Sequence, residues 1–145
     1  MPITRPVGGP CIFCAIANGE ATASLVHEDE HTLSFVDLRQ FNPGHVLVIP
    51  RLHVQDVREL EEPTGSALMT AVIRVTRAVS AAFPNEGISL WHSIGPAAFQ
   101  EVPHLHIHVH PRLTDDGMLR VYPSEPHLPA MSIREEYAAA IRGHL

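Results

Sequence analysis

The sequence predicts an α+β domain in which an antiparallel sheet of about five strands packs against one long helix. Two stretches predict central strands: the alternating residues 104–110 and the aliphatic run 45–50. Apolar residues at helical spacing between Pro63 and Phe83 predict the long helix. A length of 145 residues suits one domain with a sizeable core.

Charge and composition argue against several classes of protein. Sixteen acidic residues stand against ten basic ones, which disfavours a nucleic-acid partner held through its phosphate backbone. All ten basic residues are Arg, so the lysine of a Walker-type phosphate loop and a Schiff-base lysine are both absent. No apolar stretch approaches the roughly 20 residues of a membrane span, and no signal-peptide pattern is present. We therefore expect no membrane partner and a cytoplasmic, reducing location.

The first half of the chain predicts a helical turn and three strands. Residues 1–10, with several Pro and Gly, predict a flexible lead, and residues 11–19 predict a short helical turn that ends at Asn18-Gly19. Residues 24–27 and 31–38 predict a hairpin across a polar turn. Residues 41–44 predict the turn before the central strand 45–50.

The second half begins with a charged, helical connection over 56–62. The main helix follows from Pro63-Thr64 to Phe83, with Thr64 or Ser66 as its N-cap. Residues 84–87 stop it, residues 88–94 predict a strand, and residues 95–99 predict a loop. After Arg112 come a Pro-rich segment and a last helix over 132–142, which together could wrap a partner subunit or line the site.

Four histidines alternate with aliphatic residues along the predicted strand 104–110. Strand periodicity places the histidines on one face and the aliphatic residues on the buried face, with neighbouring imidazoles about 6.6 Å apart. Such a row suits a phosphate, with one imidazole as nucleophile and others as donors, or a metal ion. The alternative is a set of structural histidines.

The pair Cys11 and Cys14 forms a Cys-x-x-Cys motif. Two thiolates at this spacing are half of a zinc site and need two further ligands. The alternative is a pair of reduced core thiols, and a redox role is disfavoured because the pair precedes the first strand.

The stretch His104 to Val109 resembles the signature of the histidine-triad superfamily, in which three histidines alternate with apolar residues. Residues 11–14, 44–50 and 100–104 match the bacterial Hint-type branch in the expected order. This resemblance implies a HIT-like fold with a nucleotide-binding domain over 11–112, a C-terminal extension over 113–145, and a homodimer whose two sheets join into one.

The resemblance also implies a nucleotidyl hydrolase or transferase that acts on the α-phosphate of an AMP or GMP derivative. Its substrates would be purine nucleoside phosphoramidates, acyl-adenylates or dinucleoside polyphosphates, with no organic cofactor. His106 would attack phosphorus and carry the nucleotide covalently, with His108 as the phosphate contact and His104 on its other side. His45 would support them through hydrogen bonds, and Asp37 would hold the ribose hydroxyls or, alternatively, cap a turn.

The substrate-binding set implied by the resemblance is completed by four residues before the triad: Ser93, Gln100, Glu101 and Val102. Structural zinc would be bound by Cys11, Cys14, His53 and His104. Three residues depart from the family pattern: Ser93 replaces a common Asn, Phe99 a frequent Gly, and His110 an aliphatic residue. We expect His110 to be a surface histidine near the pocket rim. We expect Trp91 to be a core residue, with stacking on a base as the alternative.

Two other functions remain open at this point. One is a nucleotide-binding regulatory protein with vestigial hydrolysis. The other is a zinc hydrolase that uses the triad histidines as metal ligands.

Overall fold

The computed structural model describes residues 11–119 and 121–145, so the predicted flexible lead lies outside the described residues. The described residues form five strands and three α-helices, in the order α1 (Ile12–Ala17), β1 (Leu25–Glu28), β2 (Thr32–Val36), β3 (Val46–Pro50), α2 (Thr64–Ala82), β4 (Gly87–Trp91), β5 (Ile107–Arg112) and α3 (Met131–Arg142). Short 3₁₀-helices lie at Val57–Glu59 and Pro96–Ala98.

The five strands form one antiparallel sheet in the order β1-β2-β3-β5-β4. β5 therefore lies between β3 and β4, although it follows both in sequence. This arrangement confirms the predicted α+β class with a five-stranded antiparallel sheet and one long helix.

Each face of the sheet has its own apolar core. The amphipathic helix α2 covers one face with buried residues at helical spacing: Leu68, Ala71, Val72, Val75 and Val79. These pack on Val46, Val48, Leu105 and Val109. On the opposite face, α1 packs Phe13 against Leu33, Phe35, Leu47 and Ile49. Alternation along β3 thus serves both cores, as a continuous aliphatic run predicts.

β5 begins three residues later than the alternating pattern predicts. Before it, the amide of Leu105 donates to the carbonyl of Val54 at 2.8 Å, and the amide of His104 donates to the carbonyl of Val102. These bonds take the place of strand pairing, so His104 and Leu105 lie on a tight approach to the strand. β5 instead continues through Pro111 to Arg112, where its cross-strand partners lie on β4.

Two local predictions were wrong. The connection 56–62 forms only one 3₁₀ turn, because the Asp56 carboxylate accepts the amide of Arg58 and the chain becomes extended at Leu60. Neither Thr64 nor Ser66 caps α2, whose N-cap is Pro63 and has no side-chain cap. The Ser66 hydroxyl instead donates to the carboxylate of Glu62.

The C-terminal helix α3 confirms the predicted helix to within one residue. None of its residues is buried, and Ile133, Tyr137 and Ile141 form an exposed apolar stripe at four-residue spacing. In the part of the chain that the structure describes, no helix has the length and hydropathy needed to cross a membrane.

Candidate active site

The sequence predicts that the histidines and the aliphatic residues of the strand lie on opposite faces of the sheet, and the structure confirms this along β5. Leu105 and Val109 are completely buried beneath α2. On the other face, His108 lies opposite Leu47 of β3 and Trp91 of β4. His106 and His108 are ring neighbours, with centroids 5.0 Å apart. Two imidazoles of the row therefore lie side by side on the face of the sheet that α1 covers.

His106 is buried and fixed in one tautomer by its own backbone. Its Nδ1 lies 2.7 Å from the carbonyl oxygen of His104, which can only accept, so Nδ1 carries the hydrogen. Burial lowers the pKa of His106, so the neutral form dominates and Nε2 keeps its lone pair. The ring of Phe13 packs edge-on against it, with centroids 5.2 Å apart. This is the arrangement that a nucleophilic imidazole requires.

His45 and His108 form a hydrogen-bonded pair next to His106. The Nδ1 of His45 faces the carbonyl of Arg39 at 3.2 Å and therefore donates to it. The Nε2 of His45 must then accept, at 2.8 Å, the hydrogen on Nδ1 of His108. Burial lowers the pKa of both rings. The Nε2 of His108 is consequently the nitrogen left for a ligand.

The position of His45 depends on the turn before β3. Gly44 has a φ of 107°, which glycine adopts without strain, and a side chain here would collide with the ring of Phe83. The side chain of Gln40 accepts the amides of both Gly44 and His45. The predicted turn 41–44 therefore holds His45 in a position where it forms a hydrogen bond with His108.

The imidazole of His104 belongs to the cysteine pair. Its Nε2 donates to the carbonyl of Pro50 at 2.9 Å, so its Nδ1 carries a lone pair. That Nδ1 lies 3.5 Å from Cys11 Sγ and 3.6 Å from Cys14 Sγ. It also lies 3.2 Å from Nδ1 of His53. Both ring nitrogens of His104 are thus occupied, and its carbonyl is the group that contacts His106.

The donor set of this cluster fits zinc. Ligand atoms placed about 2.0–2.3 Å from zinc lie roughly 3.3–3.8 Å apart at the corners of a tetrahedron. Four of the six pairs of ligand atoms among Cys11, Cys14, His53 and His104 lie 3.2 to 3.6 Å apart, all six lie within 4.8 Å, and the two cysteines form no disulfide. The carbonyl of Pro50, which holds His104, is the type of outer contact that orients a metal-binding imidazole. The structure therefore brings together all four residues that the sequence assigned to zinc.

Asp37 lies at the end of β2, as the sequence predicts, but it is buried. Its Oδ1 accepts the amide of Arg39 at 2.7 Å, and its Oδ2 lies 3.7 Å from Nε2 of His45. The carboxylate therefore caps a turn and at the same time borders the histidine pair.

The other predicted substrate residues have different surroundings. Gln100 braces the preceding loop, because its side chain accepts the amide of Gly95 and donates to the carbonyl of Gln55. Val102 is buried in the core beneath α1. Ser93 is half-buried just after β4. Glu101 is exposed and forms an ion pair with Arg39.

Two expectations about aromatic residues were wrong. His110 is not a surface histidine: only 1 % of it is exposed, because β4 and the ring of His45 cover it. Its Nδ1 donates to the carbonyl of Pro111, and its Nε2 has no partner among the described residues. Trp91 is half-buried rather than a core residue, and it stacks on His108 with centroids 4.2 Å apart.

Sequence reasoning did not assign three neighbours of the reactive histidines: Phe13, Arg39 and His92. Phe13 lies within the Cys-x-x-Cys motif. His92 follows Trp91 at the end of β4, and burial together with the nearby His106 lowers the pKa of His92. Arg39 follows Asp37 by two residues, and that closeness was the one available signal. Phe99 adopts the left-handed region with a φ of 64°, which accounts for the glycine that is frequent at this position.

The fold and site together define an α+β domain that presents a tautomer-fixed, neutral imidazole beside a histidine pair. The family model of the HIT domain matches residues 18–115, and the chain belongs to this family. The curated relatives include the protein hit of Bacillus subtilis, 38% identical over 102 residues and 70% of each chain. An adenosine 5′-monophosphoramidase of Schizosaccharomyces pombe is 30% identical over 91% of this chain and 98% of its own. An adenylylsulfatase of Arabidopsis thaliana is 32% identical over 73% of this chain and 54% of its own.

Solved structures support the same assignment. A HIT family protein from Bacillus anthracis superposes with a TM-score of 0.86 at 35% identity, over 93% of this chain and 96% of its own. A zinc-bound histidine-triad protein from Mycobacterium smegmatis superposes with a TM-score of 0.68 at 37% identity, over 79% of this chain and 84% of its own.

Proposed function

We propose that this protein is a nucleotidyl hydrolase or transferase that acts on the α-phosphate of purine nucleoside phosphoramidates, acyl-adenylates or dinucleoside polyphosphates. The observation that carries the proposal is the contact between Nδ1 of His106 and the carbonyl of His104. This contact keeps the hydrogen on Nδ1 and leaves the lone pair of Nε2 available to a substrate.

The reaction proceeds in two displacements. The Nε2 of His106 attacks the α-phosphorus, a nitrogen–phosphorus bond forms, and the leaving group departs with the electron pair of its own bond to phosphorus. Water then attacks the same phosphorus as the nitrogen–phosphorus bond breaks, which releases the nucleoside monophosphate, a proton and neutral His106. Where the leaving group is an amine, it takes up one proton as it departs. His108 contacts the phosphate through Nε2. Burial lowers the pKa of His108, but the negative charge of the bound substrate raises it, so that Nε2 takes up a proton and donates to a phosphate oxygen.

The relatives support an enzyme over a purely regulatory binding protein. An adenosine 5′-monophosphoramidase and an adenylylsulfatase are both relatives of this chain, and both names denote enzymes that act on adenylyl compounds. Asp37, at the border of the histidine pair, is the acid that we assign to the ribose hydroxyls, which a carboxylate accepts well.

We assign a structural zinc ion to Cys11, Cys14, His53 and His104. When bound, zinc would link α1 to the segment before β5, because Cys14 lies in α1 and His104 lies in that segment. The zinc-bound neighbour from Mycobacterium smegmatis supports this assignment. A second group of possible metal ligands joins Asp37 and His45 to His108, so among the described residues the three triad histidines do not share one such group.

We also propose a homodimer whose two sheets join through β4, which ends the described sheet and carries the half-exposed Leu90. The cytoplasmic location stays a prediction from the sequence.

The experiment is hydrolysis of adenosine 5′-phosphoramidate by the purified protein. We expect release of AMP, a loss of at least about 10⁴-fold in the His106→Ala variant, and little change in a control His144→Ala variant. After rapid acid-free quenching, intact mass should reveal one adenylyl group on the peptide that contains His106. Tight AMP binding without turnover would favour the regulatory alternative, and turnover by His106→Ala would contradict the assigned nucleophile.

A further inference from the structure

An ion pair joins the two loops that flank the reactive histidines. Arg39 follows Asp37 on the segment after β2, and Glu101 lies on the approach to β5. Nη1 of Arg39 lies 3.2 Å from Oε1 of Glu101, and Nη2 lies 3.0 Å from Oε2. This is the parallel two-bond geometry in which a guanidinium also binds phosphate or sulfate.

The backbone of Arg39 is fixed to the site itself. Its amide donates to Asp37 at 2.7 Å, and its carbonyl accepts the hydrogen of His45 Nδ1 at 3.2 Å. The guanidinium lies beside the same carboxylate, with Nε 3.9 Å from Oδ1 of Asp37, and the Arg39 side chain is about half exposed.

The pair is suited to exchange partners. Both side chains are more than a third exposed, so water and salt screen their attraction and the contact contributes little to stability. His45 and His108 are kept neutral by burial and cannot balance the charge of an anionic substrate before they take up protons. Arg39 is a permanent cation at the same site.

We propose that Arg39 binds the anionic leaving group of the substrate, and that it does so by exchanging Glu101 for that group. Arg39 and Glu101 then act as a specificity-determining pair that favours adenylyl derivatives with a sulfate or polyphosphate leaving group over those with a neutral amine. This inference rests on the proposed function of the site. A sulfate leaves with the electron pair of its phosphorus–oxygen bond and needs no proton, so a fixed cation stabilises it directly, whereas a departing amine must gain a proton.

The test compares two substrates that share the adenosine 5′-phosphoryl group: adenosine 5′-phosphosulfate and adenosine 5′-phosphoramidate. We expect Arg39→Gln to lower kcat/KM for the phosphosulfate about 20- to 100-fold and to change that for the phosphoramidate by less than about 3-fold. Glu101→Gln should raise kcat/KM for the phosphosulfate about 2- to 5-fold, because Arg39 loses its competing partner. Arg74→Gln, on the exposed face of α2, makes the same charge change away from the site and should leave the ratio of the two values unaltered.

Several outcomes would overturn the inference. An equal loss for both substrates in Arg39→Gln would assign Arg39 a positioning role through His45, and no loss would remove it from the site. In either case the wild-type turnover would still support the proposed function. If the wild-type protein hydrolyses neither substrate, the proposed function fails. Calorimetric binding of both compounds to the wild-type and Arg39→Gln proteins would then decide whether Arg39 discriminates between them.

Discussion

Three backbone carbonyls determine the role of each reactive imidazole. The carbonyl of His104 leaves Nε2 of His106 for a ligand, and the carbonyl of Arg39 makes His45 an acceptor toward His108. The carbonyl of Pro50 turns Nδ1 of His104 toward the two thiols. Because a carbonyl only accepts, each contact assigns a hydrogen to one ring nitrogen. Histidines that look equivalent in sequence therefore differ in function.

The zinc assignment gives a prediction about the two thiols. In the Cys11→Ser/Cys14→Ser variant, zinc content measured by atomic emission should fall from about one ion per chain to near zero. Two of four ligands are then lost, and the thermal midpoint should fall by about 5–15 °C, since metal binding contributes to folding free energy. Hydrolysis at low temperature should fall less than 10-fold, because Nε2 of His106 does not belong to the cluster.

The control for this prediction is His144→Ala, which removes an exposed histidine at the chain end. It should keep both the zinc content and the thermal midpoint of the wild type. Wild-type protein purified without zinc, and unchanged in stability when zinc is added, would contradict the assignment.

At the scale of the elements, the periodicity of the sequence was sufficient to predict the sheet and the long helix. Alternation placed Leu105 and Val109 in the core, and helical spacing placed the buried stripe of α2. The approach to β5 could not be predicted, because its amides bond to Val54 and Val102, and these contacts depend on the folded chain. The burial of His110 was missed for the same reason: its cover comes from β4 and His45, which are distant in sequence.

Burial of neutral histidines between β3, β4 and β5 predicts that stability falls in acid. Burial lowers the pKa of His45 to about 4, below the ordinary value of about 6.5 that applies when the chain unfolds. His108 is shifted in the same direction. Between these values the unfolded chain binds more protons than the folded one, so stability is full above pH 6.5 and is lost as pH falls toward 4.

Urea unfolding at pH 7.5 and pH 5.0 measures this loss. We expect the free energy of unfolding to be at least about 2 kcal/mol lower at pH 5.0 than at pH 7.5, because His45 alone contributes about that much and His108 adds to it. His45→Gln, which cannot take up a proton, should show a smaller difference between the two pH values. A free energy that rises on acidification would contradict the burial of neutral rings.

For the whole molecule, exposed apolar side chains lie on both end strands of the described sheet: Leu90 on β4, and Leu25 and Val26 on β1. A further stripe of Ile133, Tyr137 and Ile141 lies on α3. An open strand edge leaves hydrogen-bonding groups without strand partners, and pairing with a second copy satisfies them. Two-fold pairing of β4 with its symmetry mate would extend the sheet to ten strands, since each copy contributes five.

The proposed dimer predicts that a charge on β4 separates the copies. Leu90 is 50% exposed and lies on the end strand beside the proposed two-fold axis. Leu90→Glu places two carboxylates close together in the dimer and buries each of them, which costs more than the loss of one apolar contact. Sedimentation equilibrium at about 20 μM should therefore give twice the chain mass for the wild type and mainly the chain mass for the variant. Leu25→Glu is the matched control, because Leu25 is 55% exposed on β1 at the opposite edge of the same sheet. If both variants dissociate, or neither does, β4 is not the edge through which the two copies join.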